Sequence, residues 1–525
     1  YCLLSRGLGD VYKRQAVPFI EGNVRAPEWQ RREAALMCFG SIMDGPESQL
    51  LVTLVSQALP TVYEALHDVS VAVKDTAAWT LGRICEFAAD AITPEVQLGP
   101  LIQALLAGLQ EQPRIVTHCC WALINLADNK GSRAHFDEVS PMTTALSPFF
   151  ETLVQQLLLA TDRPNNESNS RTSAYEALAN LIANAAGDCL QQASSVLVHV
   201  IERQEQLNAM VAQLVGLDDR NNWAELQSNL CSVMIAAVRH LGAGIAPIGD
   251  RLMTSLLTLI QNSAKQPTVL EDAFVAVGTV IVALEGDFAK YLDAFLPFLV
   301  EGLRHHEEHQ LCTISVGIVG DLCRSLGERA TPYSETLVLA LFEDLQSPVL
   351  NRDVKPHILS CFGDVALAIG AAFEPYLPTA MAVLQQASMV QNTPGSQDFE
   401  MGDYVNSLRE GIAEAYVGIV SGFRASNKAD VLAQYMEFAI TFIGLVARDS
   451  FERDEALLRT TLGLLGDIAS AFPSGPIMNE LQQPWVMDYI KLGRSRTNGS
   501  ETRKTANWAR ELIKKPLGGV GTPII

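Results

Sequence analysis

At 525 residues, 48% of them hydrophobic, 18% charged and only 7% aromatic, the chain is too apolar for general disorder and suits close-packed helices filled by Leu, Ala, Val and Ile. Its 38 basic and 59 acidic side chains give a formal charge of -21, a field that repels nucleic acid and anionic membrane surfaces and attracts basic partners. The absence of any uninterrupted apolar run of about 18 residues argues against a membrane span.

Residues 1–15 lack the apolar core of a signal peptide and read as a fragment boundary or a sequence artefact. From about Ala16 one outline of small and apolar residues recurs, seen most clearly in Asp75-Thr-Ala-Ala-Trp-Thr-Leu-Gly-Arg-Ile-Cys-Glu86. In register with Gly82 stand Gly40, Ile124, Ala179, Met234, Gly278, Gly320, Gly363, Gly418 and Gly466. The steps are 42, 42, 55, 55, 44, 42, 43, 55 and 48 residues, the period of two-helix HEAT repeats with insertions. The fold expected is all-α, a solenoid superhelix of about ten to eleven HEAT repeats over 16–515, followed by a disordered tail at 516–525.

Each repeat is expected to carry a first helix A and a second helix B. In chain order the predicted helices are B 28–43, A 50–67, B 71–88, A 98–110, B 114–128, A 149–161, B 168–185, A 193–206 and B 223–241. They continue as A 248–262, B 268–284, A 291–305, B 309–326, A 334–345, B 353–369, A 376–388, B 403–422, A 432–448 and B 453–472. Turn signals at His67-Asp68-Val69-Ser70, Gln112-Pro113, Gln266-Pro267 and Ser347-Pro348 part A from B. Longer connections are expected at 129–148, 163–170 and 390–402, the last a solvated acidic loop with Asp398 and Glu400 beside Asp403. A closing helix, 500–514, carries Trp508 among Arg503, Lys504, Arg510 and Lys514, and its polar face suits a solenoid cap.

No catalytic constellation, cofactor motif or metal-ligand spacing appears. Cys119-Cys120 cannot place two ligands on one zinc, and the ten cysteines read as buried small hydrophobes in a reducing compartment. Gly317-Ile-Val-Gly320 lies mid-helix and not in a strand-turn-helix phosphate loop, so no enzyme is expected. The B helices say more. Positions three before and one after the column share a helix face. The later one holds Ser41, Arg83, Asn125, Asn180, Ile235, Thr279, Asp321, Asp364, Ile419 and Asp467, a mostly polar set expected to face solvent or a ligand, while Leu81, Ile84, Cys85, Leu322 and Val365 turn inward. The earlier one holds Trp79, Trp121 and Glu176, then small residues. With Glu86, Asn125, Asp128 and Asn180 nearby, these tryptophans could hold the stem and charge of Arg or Lys. Asp321, Asp364 and Asp467 could meet a basic helix. The alternative is that the tryptophans pack between repeats and the aspartates are merely solvated.

Beyond the repeat pattern, the Asp75–Glu86 stretch closely resembles importin-β nuclear transport receptors. So do Trp29-Gln-Arg-Arg-Glu-Ala-Ala-Leu-Met-Cys-Phe-Gly40, Thr161-Asp-Arg-Pro164, Val319-Gly-Asp-Leu-Cys323, Val354-Lys-Pro-His-Ile-Leu-Ser360, Phe362-Gly-Asp-Val-Ala-Leu-Ala-Ile-Gly370 and Asp403-Tyr-Val-Asn-Ser-Leu-Arg-Glu410. The resemblance covers about residues 16–515 and implies cargo transport through nuclear pores, shuttling between cytoplasm and nucleus. It implies importin-α as adaptor, its basic segment, or a basic cargo, being wrapped by the inner B-helix face. Trp121 and Trp508 match tryptophans that family members use there, and Trp79 stands in the equivalent position one repeat earlier. The family repeats that carry the main contacts to Ran-GTP and FG nucleoporins have no counterpart here, so those partners are expected of a full-length protein. Of another class is a HEAT scaffold subunit holding an enzyme complex together; the 55-residue steps fit such regular scaffolds less well.

Overall fold

The computed structural model describes residues 9–44, 48–132, 141–163, 167–391, 399–449 and 453–514. Among these the regular structure is helical, with no strand. By internal contacts the chain divides into two units, Tyr1–Thr279 and Val280–Ile525, the division falling inside one helix.

The first unit holds α1 (Gly9–Asn23), α2 (Trp29–Ser41), α3 (Ser48–Ala65), α4 (Val71–Phe87), α5 (Gly99–Gly108), α6 (Pro113–Lys130), α7 (Phe150–Thr161), α8 (Ser168–Ala183), α9 (Leu190–Met210), α10 (Leu217–Leu241), α11 (Gly249–Asn262) and the start of α12 (Pro267–Leu284). In this unit the even-numbered helices are the B helices. α2, α4, α6, α8 and α10 pack on one another in sequence, and the A helices α3, α5, α7 and α9 lean on the B helices that follow them. The second unit repeats the arrangement with α13 (Ala289–Leu303), α14 (His309–Leu326), α15 (Ser334–Gln346), α16 (Lys355–Ile369), α17 (Leu377–Ser388), α18 (Phe399–Ala425), α19 (Met436–Arg448) and α20 (Glu455–Ala471). The last A element is broken into α21 (Pro476–Leu481) and α22 (Pro484–Gly493), and α23 (Ser500–Lys514) is the B helix that packs on α20.

The core is where the period puts it. Leu81, Ile84, Cys85, Leu322 and Val365 are buried between the layers. The free thiols lie in the same apolar setting, and burial pushes Cys85 and Cys119 up to about 12, so neither is a ready nucleophile. Four stretches, among them Leu217–Asn262 and Pro267–Leu303, have membrane-like hydropathy, more than the run of apolar residues in the sequence suggests. Both of these are two helices joined by a turn, and apolar residues such as Leu252, Leu256, Leu259, Leu292 and Leu299 are spent on the repeat core.

Arginines close the ends of A elements, where four carbonyls of each helix lack intrahelical partners. Arg163 donates to the carbonyls of Leu109, Gln110 and Glu111 at 2.9–3.1 Å beyond α5, and Arg453 to those of Val446 and Ala447 in α19. Arg32 donates to the carbonyls of Ala26 and Pro27 and, through Nε and Nη2, to both oxygens of Asp68 at 2.7 and 2.8 Å. Asp68 in turn accepts the Ser70 N–H at 2.8 Å and thereby shapes the predicted turn. The Arg32 guanidinium holds the Asp68 carboxyl below its ordinary range. A depressed carboxyl contributes stability that is complete above its unfolded pKa and is lost as pH falls through the folded one. The thermal midpoint of Asp68→Asn should therefore trail the parent chain at pH 6–7, and the gap should narrow below about pH 4.

Some boundaries differ from expectation. Gly242, Gly327 and Gly370 end their B helices at φ of 52°, 54° and 56°, a region favouring glycine, and each opens a seven-residue 3-10 turn closed by Pro247, Pro332 or Pro375. α10 starts at Leu217, six residues before the apolar period begins, because Asp218 and Asp219 suit the first turn of a helix. The boundary expected at 15/16 falls within α1. Glu400 and Asp403 belong to the first turns of α18 rather than to a loop, while Asp398 and the tail at 516–525 lie outside the described residues.

Candidate functional site

In the first unit the column glycines are seats for tryptophan. A Cβ on Gly40 would overlap the ring of Trp79, and one on Gly82 the ring of Trp121. Each ring thus lies against the preceding B helix and remains half-exposed on its other side. The position after the column reaches back across the same seam. Arg83 Nε donates to the Gly40 carbonyl at 3.3 Å, and Asn125 Nδ2 to that of Gly82 at 3.5 Å. This corrects the expectation of an open face at that position: Ser41, Thr279 and Ile419 are buried there. A side chain one residue past the column points at the neighbouring repeat rather than away from it.

These contacts place six expected residues, Trp79, Glu86, Trp121, Asn125, Asp128 and Asn180, along the seams of three consecutive B helices. Arg83 lies 6.0 Å from the Trp79 ring centroid and 4.1 Å from that of Phe87, and it pairs with Glu86 at 3.6 Å. Burial, partly offset by Arg83, raises the Glu86 carboxyl above its ordinary value. Asp128, exposed at the end of α6, accepts from Asn180 Nδ2 at 2.9 Å and from Asn184 Nδ2 at 3.0 Å. Glu176 is exposed on α8. One side of each ring is packed on the preceding B helix, and the rest of it stays accessible.

In the second unit the aspartates are less free than an acidic stripe requires. Arg324 donates to Asp321 at 2.7 Å and also to Asp364 of the next B helix, so one guanidinium balances two carboxylates. Asp467 pairs with Arg424 at 3.5 Å, and burial raises its carboxyl. Trp508, 41% exposed, sits on Gly466 as Trp121 sits on Gly82, one residue from Asp467.

The larger acidic feature was legible only in fragments. Between α16 and α18 opens a groove of about 850 Å³ whose lining includes Glu400, Asp403, Glu410 and Glu414, with Arg352 at one end. Spacings of three, seven and four residues place those four carboxylates on one face of α18. Arg352 lies 3.7 Å from Glu400 and 5.4 Å from the Tyr404 ring centroid; among the described residues, Asp403, Glu410 and Glu414 have no ion-pair partner. Burial first, then Glu414 and Asp454, raise the Glu410 carboxyl. A cation placed there would relieve that repulsion. A helix expected to begin at 403 leaves Glu400 in the preceding connection, outside the periodicity that the helix from Phe399 reveals. Among the described residues no group of His, Cys, Asp and Glu is arranged to hold a metal ion.

Stacked A and B layers with a seamed B-helix face define a HEAT-repeat α-solenoid. Residues 29–84 match a HEAT-like repeat family, and residues 100–494 match the family described as importin subunit beta-1-like, TPR repeats. The chain belongs to the importin subunit beta-1-like family. It is 43% identical over 514 residues to importin subunit beta-1 of Schizosaccharomyces pombe, an alignment that covers 98% of this chain and 59% of that one. A crystal structure of importin beta obtained in ammonium sulfate superposes with a TM-score of 0.92 at 38% identity, covering 99% of this chain and 59% of the other. A Kap95:Nup1 complex gives 0.82 at 34% identity, covering 98% and 58%. The chain thus spans about three fifths of the length of these relatives.

Proposed function

We propose that this chain is the adaptor-binding and cargo-binding part of a nuclear import receptor, a transport factor rather than an enzyme. Its ligand is the basic importin-β-binding segment of importin-α, or a basic cargo. The observation that carries this reading, in a chain of the importin subunit beta-1-like family, is the B-helix face itself. Half-exposed Trp79 and Trp121 rings are seated on glycines beside Glu86, Asp128 and Glu176. In the second unit, Trp508 and the Glu400–Glu414 groove offer the same chemistry. Aromatic faces hold the planar or aliphatic body of Arg and Lys while carboxylates take the charge. Asp321, Asp364 and Asp467, already paired to arginines, act mainly by setting the spacing of the B helices. Ran-GTP and FG nucleoporins are partners of the full-length protein, which would move between cytoplasm and nucleus through the pore. No cofactor is required for such binding.

A fluorescent importin-β-binding peptide tests the reading by anisotropy. Its affinity should fall steadily as salt is raised from about 50 to 200 mM, since exposed charges are screened over about 10 Å at 0.1 M. Glu410→Gln with Glu414→Gln should weaken it by about tenfold, equivalent to about 1.4 kcal/mol. Salt-independent binding, or capture of phosphatase subunits without importin-α, would favour the scaffold reading instead.

A further inference from the structure

Away from the B-helix face, the A elements α19 and α22 leave between them a groove of about 620 Å³. Helical spacing brings Glu437, Gly444 and Arg448 of α19 to one wall and Trp485 and Asp488 of α22 to the other, with Glu480 of α21 at the end. Trp485 is held by its polar edge, Nε1 donating to Gln483 Oε1 at 3.2 Å. Its benzo edge is turned to Gly444: a Cβ there would stand 3.7 Å from Cη2 and 4.0 Å from Nη2 of Arg448, so the ring edge and that guanidinium together border the space the glycine leaves. Among the described residues, neither Glu437, Glu480 nor Asp488 has an ion-pair partner, and three carboxylates face the single guanidinium of Arg448.

We infer that this groove receives an arginine side chain from an extended basic segment of a partner protein, the guanidinium lying on Trp485 and pairing with the carboxylates of Glu437, Glu480 and Asp488. An apolar occupant such as a phenylalanine ring would cover the floor while stripping water from three unpaired carboxylates. Lysine would answer the charge, but its ammonium is more strongly hydrated and presents no plane to the indole, whereas a guanidinium does both. The site stands on the A-helix layer and does not depend on the B-face reading above.

The test uses the whole chain labelled with 5-fluorotryptophan and observed by fluorine NMR. The chain has six tryptophans, and the Trp485 resonance is the one lost in Trp485→Phe. Titration with acetyl-Gly-Arg-Gly-amide should shift that resonance saturably. The same peptide with citrulline in place of arginine should bind at least about tenfold more weakly, as should the parent peptide to a Glu437→Gln, Asp488→Asn chain. Both substituted carboxylates are exposed, so the fold is not at stake. Trp508→Ala should leave the response intact. The inference is overturned by no shift, by an equal response to citrulline, by preference for a phenylalanine peptide, or by loss of the response in Trp508→Ala.

Discussion

Replacing Gly418 by valine should lower the free energy of unfolding by about 3 kcal/mol or more, at the upper end of overpacking costs. A Cβ at Gly418 falls 2.5 Å from the Cα of Gly363 on the neighbouring helix, and backbone, unlike a flexible side chain, has nowhere to go. The contact is not isolated. A Cβ at Gly363 would lie 2.9 Å from Ala415 Cα, one at Gly422 2.8 Å from the carbonyl carbon of Ala366, and one at Gly411 3.0 Å from that of Pro356. α16 and α18 therefore touch backbone to backbone over four glycine contacts. Separating them would expose Phe362, Tyr416, Ile419 and Val420, each no more than 1% exposed. Urea and thermal midpoints measure the effect. Gly317→Ala is the internal contrast: nothing lies within 4 Å of a Cβ there, and helix propensity alone should stabilise α14 by up to about 1 kcal/mol. A Gly418→Val chain as stable as the parent would show that the close approach is not obligatory.

The second large effect is on binding. Trp121→Ala combined with Trp508→Ala should weaken the importin-β-binding peptide by several hundred-fold, since two tryptophan anchors at about 2 kcal/mol each sum to about 4 kcal/mol. Both rings keep an open face, so their removal leaves the core around Leu123, Leu126 and Ala509 in place. Gly82→Ala gives an independent handle. It deletes nothing, yet its methyl would occupy the volume of the Trp121 ring and must displace it. Binding should fall, and stability with it. Adding Trp121→Ala should then recover the stability while leaving binding weak, a non-additive cycle expected only of groups in contact. Unchanged affinity in the tryptophan double variant would reject the site.

The seats of the tryptophans show why only part of the site was legible. Small residues at 40, 82 and 466 were visible as a repeat column, and Trp79 and Trp121 as members of a shared face. That the glycine of one repeat is small because the tryptophan of the next one lies on it is a relation between residues about 40 apart, which helical periodicity does not encode. The same distance hid the pairing of Arg324 with Asp364 and of Arg424 with Asp467. The α19–α22 groove was missed for a further reason: Trp485 lies in the broken last A element, where no apolar period was long enough to draw notice.

The sequence by itself determined the helical class, the two-helix repeat and its period, the buried set Leu81, Ile84, Cys85, Leu322 and Val365, and the acidic field. All of these follow from local spacing and composition, which a chain carries wherever it folds. Tertiary structure decided which polar residues are free. The aspartates at 321, 364 and 467 read as ligand-facing, but Asp321 pairs with Arg324 one turn along its own helix, and packing of successive B helices brings Arg324 to Asp364 and Arg424 to Asp467. Asp403, Glu410 and Glu414 on α18, and the carboxylates around Trp485, have no such partner among the described residues. A charge is available for binding only when no neighbour has claimed it, whether one turn along its own helix, as Arg324 does Asp321, or one repeat away across the seam, as Arg324 does Asp364.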